Sequence, residues 1–107
     1  MELPENQLVL SGQLHRVAEL RVTPAGIPIA RFVLAHRSRR TEAGQLRDVE
    51  CRLTVVASGE TLTAGLAQLP AGSWLKVTGF LSRAGYRSPD LRVELHALDI
   101  QTVPRNG

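Results

Sequence analysis

Apolar and polar residues alternate with a period of two along most of the chain, in runs separated by Gly and Pro clusters. That pattern predicts short strands of an all-β domain. The first run covers residues 7–22, with Leu8, Leu10, Gly12 and Leu14 on one parity and a second stretch from Arg16 carrying Val17, Leu20 and Val22. Glycine inside a strand predicts a bend or bulge at Gly12. Thr23-Pro24-Ala25-Gly26-Ile27-Pro28 supplies a fixed φ at Pro24 and a permissive one at Gly26, so the chain reverses there. A second strand over 29–38 sets Ala30, Phe32 and Leu34 against Arg31, Val33, Ala35 and Arg37. The stretch 39–44 breaks the alternation with charge and glycine and predicts an exposed loop. A third strand at about 46–57 then sets Val49, Cys51, Leu53 and Val55 opposite Asp48, Glu50, Arg52 and Thr54.

Residues 58–69 read as the one helix, of about three turns. Ser58 can cap it, Glu60 suits its positive end, and Leu62, Leu66 and Leu69 recur at spacings of four and three before Pro70 and Gly72 stop it. A fourth strand over 73–83 alternates Leu75, Val77, Gly79 and Leu81 with Trp74, Lys76, Thr78 and Phe80. A polar loop at 84–90 and a fifth strand at 91–103 complete one domain over 1–104, with a frayed end at 105–107. Strand, strand, strand, helix, strand, strand is the order of the OB-fold, a five-stranded Greek-key barrel whose second and third strands and whose first-second and fourth-fifth loops bind oligonucleotides or oligosaccharides.

The 107 residues suit a single domain, and 43% apolar with 21% charged residues is the composition of a chain that buries a core. Cys51 stands alone, which rules out an intramolecular disulfide, and its apolar parity predicts a small buried hydrophobe. The acidic N-terminal stretch lacks a signal-peptide pattern, and no window nears the roughly 18 apolar residues of a membrane span, so a soluble cytoplasmic protein is expected. His15, His36 and His96 have no partner at metal-ligand spacing. With no glycine-rich phosphate loop and no carboxylate pair, the expectation is a binding module without catalysis, metal or cofactor.

Charge gives the expected ligand. The formal net charge is +3, and all but Lys76 of the 13 basic side chains are arginine. Arg21, Arg31, Arg37, Arg39 and Arg40 fall within residues 21–40, which hold no acidic residue. On an OB topology this segment lies where single-stranded nucleic acid tracks, and the planar guanidinium both forks onto phosphate and stacks on bases. Glu42 and Asp48 follow and could instead pair with these arginines at little energetic value. Arg83, Tyr86 and Arg87 cluster beside the fourth-fifth loop, where Tyr86 can stack on a base. Trp74 fits stacking, a barrel end or an interface.

Leu8-Val9-Leu10-Ser11-Gly12, Thr23-Pro24-Ala25-Gly26-Ile27-Pro28, Phe32-Val33-Leu34-Ala35-His36-Arg37-Ser38, Glu42-Ala43-Gly44, Val77-Thr78-Gly79-Phe80-Leu81 and Leu95-His96-Ala97 together resemble the bacterial PriB family of primosomal replication proteins. The turn followed by Phe-Val-Leu-X-His-Arg-Ser is the specific part; Val-Thr-Gly-Phe-Leu is general to OB proteins. The resemblance implies an OB-fold homodimer that binds single-stranded DNA in replication restart, bridging the PriA helicase on a stalled fork and the helicase-loading proteins. It carries over the basic positions Arg21 and Arg37. The family's third strand presents aromatic residues to DNA, whereas residues 45–52 here hold none, and Glu50 stands near the expected tryptophan. The resulting expectation is binding led by Arg21, Arg37, Arg39, Arg40, Arg47, Arg52, Lys76, Arg83 and Arg87, with a weaker stacking contribution. Two alternatives remain. One is a general single-stranded DNA-binding coat protein, disfavoured because the chain ends at Pro104-Arg105-Asn106-Gly107 without a long linker and acidic tip. The other is a protein adaptor whose basic face meets an acidic partner. Apolar Val33 and Ala35 opposite Phe32 and Leu34 predict that a second subunit covers one outer surface.

Overall fold

The computed structural model describes residues 3–85, 87 and 91–104. The strands are β1 (Leu8–Leu14), β2 (Glu19–Val22), β3 (Pro28–Glu42), β4 (Gln45–Ser58), β5 (Trp74–Arg83) and β6 (Val93–Thr102), with α1 (Glu60–Thr63) between β4 and β5. Hydrogen bonding runs in the order β1-β5-β6-β4-β3-β2, and β1 also pairs with β3, which closes five strands into a barrel. All pairings are antiparallel except β4 with β6. This is the expected OB-fold. The inward parities of the alternating runs fill it: Leu14, Leu34, Val55, Leu75, Val77 and Leu95 are fully buried, with Ala30 and Phe32 beside them.

Closure depends on β1 changing neighbours. It pairs with β5 from Leu8 to Gln13 and with β3 at Gln13 and Leu14. At the crossing, a Cβ on Gly12 would run into the carbonyl oxygen of Ala35, so only glycine lets the two backbones meet. The single first run of the sequence is thus two strands, interrupted after Leu14, where the His15 N–H bonds to the Val33 carbonyl oxygen at 3.0 Å.

Four further expectations are corrected. Ser58 ends β4, paired with Ile29, and does not cap a helix; Gly59 occupies that place. The helix is one turn, then Gly65 in the left-handed region, then a 3-10 turn at Leu66–Gln68. The leucine spacing still marks the right side chains, because Leu66 is buried and Leu62 and Leu69 pack on the core. The proposed loop at 39–44 is strand: β3 runs to Glu42 and turns over Ala43 and Gly44, at φ 52° and 78°. Two consecutive positive φ values give the tight hairpin turn that matches strand twist. Finally, Cys51 is exposed. Its alternation is real, but Cys51 lies where β3 and β4 have only each other as strand partners among the described residues.

Candidate nucleic-acid interface

Beyond the Ala35–Arg52 pair, β3 and β4 have only each other as strand partners among the described residues for seven rungs, from His36–Cys51 to Glu42–Gln45. At about 3.3 Å per residue this is an arm of roughly 20 Å. His36 ties its base to the barrel. Its Nδ1–H donates to the Ser11 carbonyl oxygen at 2.7 Å, and its Nε2 lies 2.8 Å from Ser38 Oγ. A carbonyl can only accept, so Nδ1 carries the proton, and the Nε2–Ser38 Oγ bond holds the ring's other edge. Arg37, between these two anchors, points to the opposite face by strand alternation.

That opposite face, outward from the barrel, carries a run of hollows. The first is bounded by Glu19, Leu20, Arg21, Ile29 and Arg31. The second shares Glu19 and Arg31 and adds His15, Arg16 and Thr54. The third shares Thr54 and adds Arg52 and Arg92; the fourth holds Arg37, Arg39, Asp48 and Glu50. The last three measure about 330 to 370 Å³, a size that suits small ligand groups. Arg16, Arg21, Arg37, Arg52 and Arg92 on this track make no ion pair with a described residue. Arg31 pairs with Glu94, whose side chain is only 10% exposed, and Arg39 bonds Asp48 at 2.8 Å in the open. The exposed pair is worth at most about 1 kcal/mol, so Arg39 can exchange its carboxylate for a phosphate.

The structure therefore gathers Arg21, Arg37, Arg39 and Arg52 of the expected set. Arg40 and Arg47 are placed differently: they face each other across the ladder on the arm's other side, where Arg47 pairs with Glu42. Lys76 is on β5 between Ser11 and Gln101, away from β3 and β4. Arg83 ends β5 opposite Val93, and Arg87 is exposed in the following loop. Tyr86 lies outside the described residues. Trp74 is half-buried beside Gln13. Arg16, Arg31 and Arg92 also line these hollows, beyond the residues expected from sequence. Arg31 was legible, since it sits in the acid-free segment, whereas only the parallel β4–β6 pairing brings Arg92 next to Arg52. Val33 and Ala35, expected under a second subunit, are half-buried within the chain's own fold. Among the described residues, no three His, Cys, Asp or Glu side chains gather as a metal site, and no helix is long and apolar enough to cross a membrane.

An OB barrel with an arginine-lined outer face defines a class, and a family model described as "another single-strand binding protein family" matches residues 6–97. A replication restart protein PriB from Photorhabdus laumondii is 43% identical over 98 residues, covering 92% of this chain and 93% of that one. The chain belongs to the PriB family of replication restart proteins. Among solved structures, PriB from Ralstonia solanacearum is similar with a TM-score of 0.77 at 27% identity, covering 92% of this chain and 98% of that one. The single-stranded DNA binding protein from Thermus aquaticus also matches at 0.77 and 27%, covering 94% of this chain and 50% of that one.

Proposed function

We propose that this chain is a non-catalytic single-stranded DNA-binding protein of replication restart, and that the strand lies along the outward face of β3 and β4. The run of hollows from Arg21 to Arg39, lined by arginines with few fixed partners, carries this reading. Family membership supports the restart role. The finer part of the proposal is an adaptor in the bacterial cytoplasm that joins a PriA-type helicase on a stalled fork to the helicase-loading proteins. It works as a homodimer, for which β1 offers an edge: Leu8 to Gly12 pair with β5 on one side and with no described strand on the other. Such an edge favours pairing with another strand.

Fluorescence-anisotropy titration of labelled oligo-dT against the purified protein tests the reading. Saturable binding that weakens when Arg37 and Arg52 are replaced by alanine, with unfolding temperature unchanged, is expected. Full affinity in that double variant would refute the assigned track. Sedimentation of the protein alone and with the helicase tests the dimer and the bridge separately.

A further inference from the structure

The arm carries basic groups on both of its faces, and the two faces are not equivalent. On the outward face each arm arginine stands across from an acid: Arg37 opposite Glu50 and Arg39 opposite Asp48. On the other face the Arg40–Arg47 rung sets two guanidiniums directly opposite one another. Like charges in that position are destabilising. Glu42 pairs with Arg47, which leaves Arg40 without an ion pair among the described residues. Two forked donors on one exposed rung with a single carboxylate between them form an arrangement a phosphate relieves, because its oxygens accept from both. Near the tip, Leu46 is 64% exposed on the Thr41–Leu46 rung, one rung back from the turn, on the outward face beyond Arg37 and Arg39. An apolar side chain leading a basic ribbon is the device that proteins press against an unstacked base step.

Arginines on opposite faces of a two-stranded ribbon cannot all meet one short stretch of a single strand. We infer that the arm engages two nucleic-acid strands at once, one along each face with Leu46 near the tip of the outward one, and that its preferred ligand is a junction between duplex and single strands. This deepens the reading above and rests on it: the outward track holds one strand, and the Arg40–Arg47 rung holds a phosphate of the other.

The test uses the full chain, at one salt concentration, against three labelled probes: oligo-dT, a blunt duplex, and a forked duplex with two dT tails. The wild-type protein is expected to bind the fork about tenfold more tightly than oligo-dT. Replacing Arg40 and Arg47 together by alanine removes a repulsive rung and, with it, the exposed Arg47–Glu42 pair, which is worth little in open solvent, so the unfolding temperature is expected to stay near the parent's. It should lose about tenfold on the fork against no more than about twofold on oligo-dT. Leu46→Ser, at an exposed site, should abolish the rise in fluorescence of 2-aminopurine placed at the fork's first base pair. Equal losses of the double variant on fork and oligo-dT would mean that one strand wraps the tip, and an unaffected fork affinity would mean that the rung touches no phosphate; either overturns the inference while leaving the outward track intact. A wild-type protein that ignores oligo-dT would instead sink the underlying reading.

Discussion

Glu50 stands on the outward face of β4, across the ladder from Arg37 and two residues from Arg52. It puts a negative charge where a strand would pass, and it makes no ion pair with a described residue that would fix it. Neutralising it should help binding: Glu50→Gln is expected to tighten oligo-dT by about two- to threefold, read by anisotropy at low salt. Glu50→Trp adds a stacking surface worth roughly 1 to 3 kcal/mol per base and should tighten it further, by about fivefold or more. No change in either variant would place the strand elsewhere. Ala43 poses a different problem, since it holds a positive φ that side chains with a Cβ resist. Asparagine tolerates that conformation, so Ala43→Asn should stabilise the fold by about 0.5 to 1 kcal/mol, seen as a rise of a few degrees in the thermal midpoint.

At the scale of elements, the barrel is held by contacts between segments far apart in sequence. The Gly12 crossing is one: Gly12→Ala forces a Cβ into the backbone of β3 and is expected to cost about 2 to 3 kcal/mol in denaturant unfolding. A variant as stable as the parent would mean that the crossing relaxes freely. These contacts also explain what was legible from sequence. Period-two alternation placed every strand of the barrel because each has one face on the core, and Leu14, Leu34, Val55 and Leu75 all fall on the expected parity. Alternation continues into the arm without a core beneath it, so it predicts a buried Cys51 where the thiol is exposed, and 39–44, where charge replaces apolar residues, reads as loop although β3 runs to Glu42. The leucines of 62–69 suggested a regular helix because their spacing is helical, while Gly65 in the left-handed region breaks it. The site was half legible. Charge segregation found Arg21, Arg37 and Arg39, but strand parity separates Arg40 from them, and no local signal joins Arg92 to Arg52.

For the whole molecule, the response to salt distinguishes the basic groups that meet DNA from those that are merely basic. Each phosphate neutralised on a single strand contributes about −0.7 to the slope of log affinity against log salt. The nine basic residues expected from sequence would together give about −6 per protomer. The structure divides them. Lys76 lies off the track, Arg40 and Arg47 occupy the arm's other face, and Arg39 must exchange Asp48 for phosphate, which releases few counterions. Arg31 stays with the nearly buried Glu94, whose desolvated carboxylate would be costly to leave unpaired. Arg83 and Arg87 line none of the four hollows, so Arg21, Arg37 and Arg52 of the nine are left on the outward face, where Arg16 and Arg92 join them to make five. A slope of about −3.5 per protomer follows for oligo-dT short enough to occupy that face alone. Anisotropy titrations across a series of salt concentrations measure it directly. A slope near −6 would mean that the strand leaves the track and engulfs the arm; a slope near zero would show that apolar or stacking contacts, and not these guanidiniums, hold the DNA.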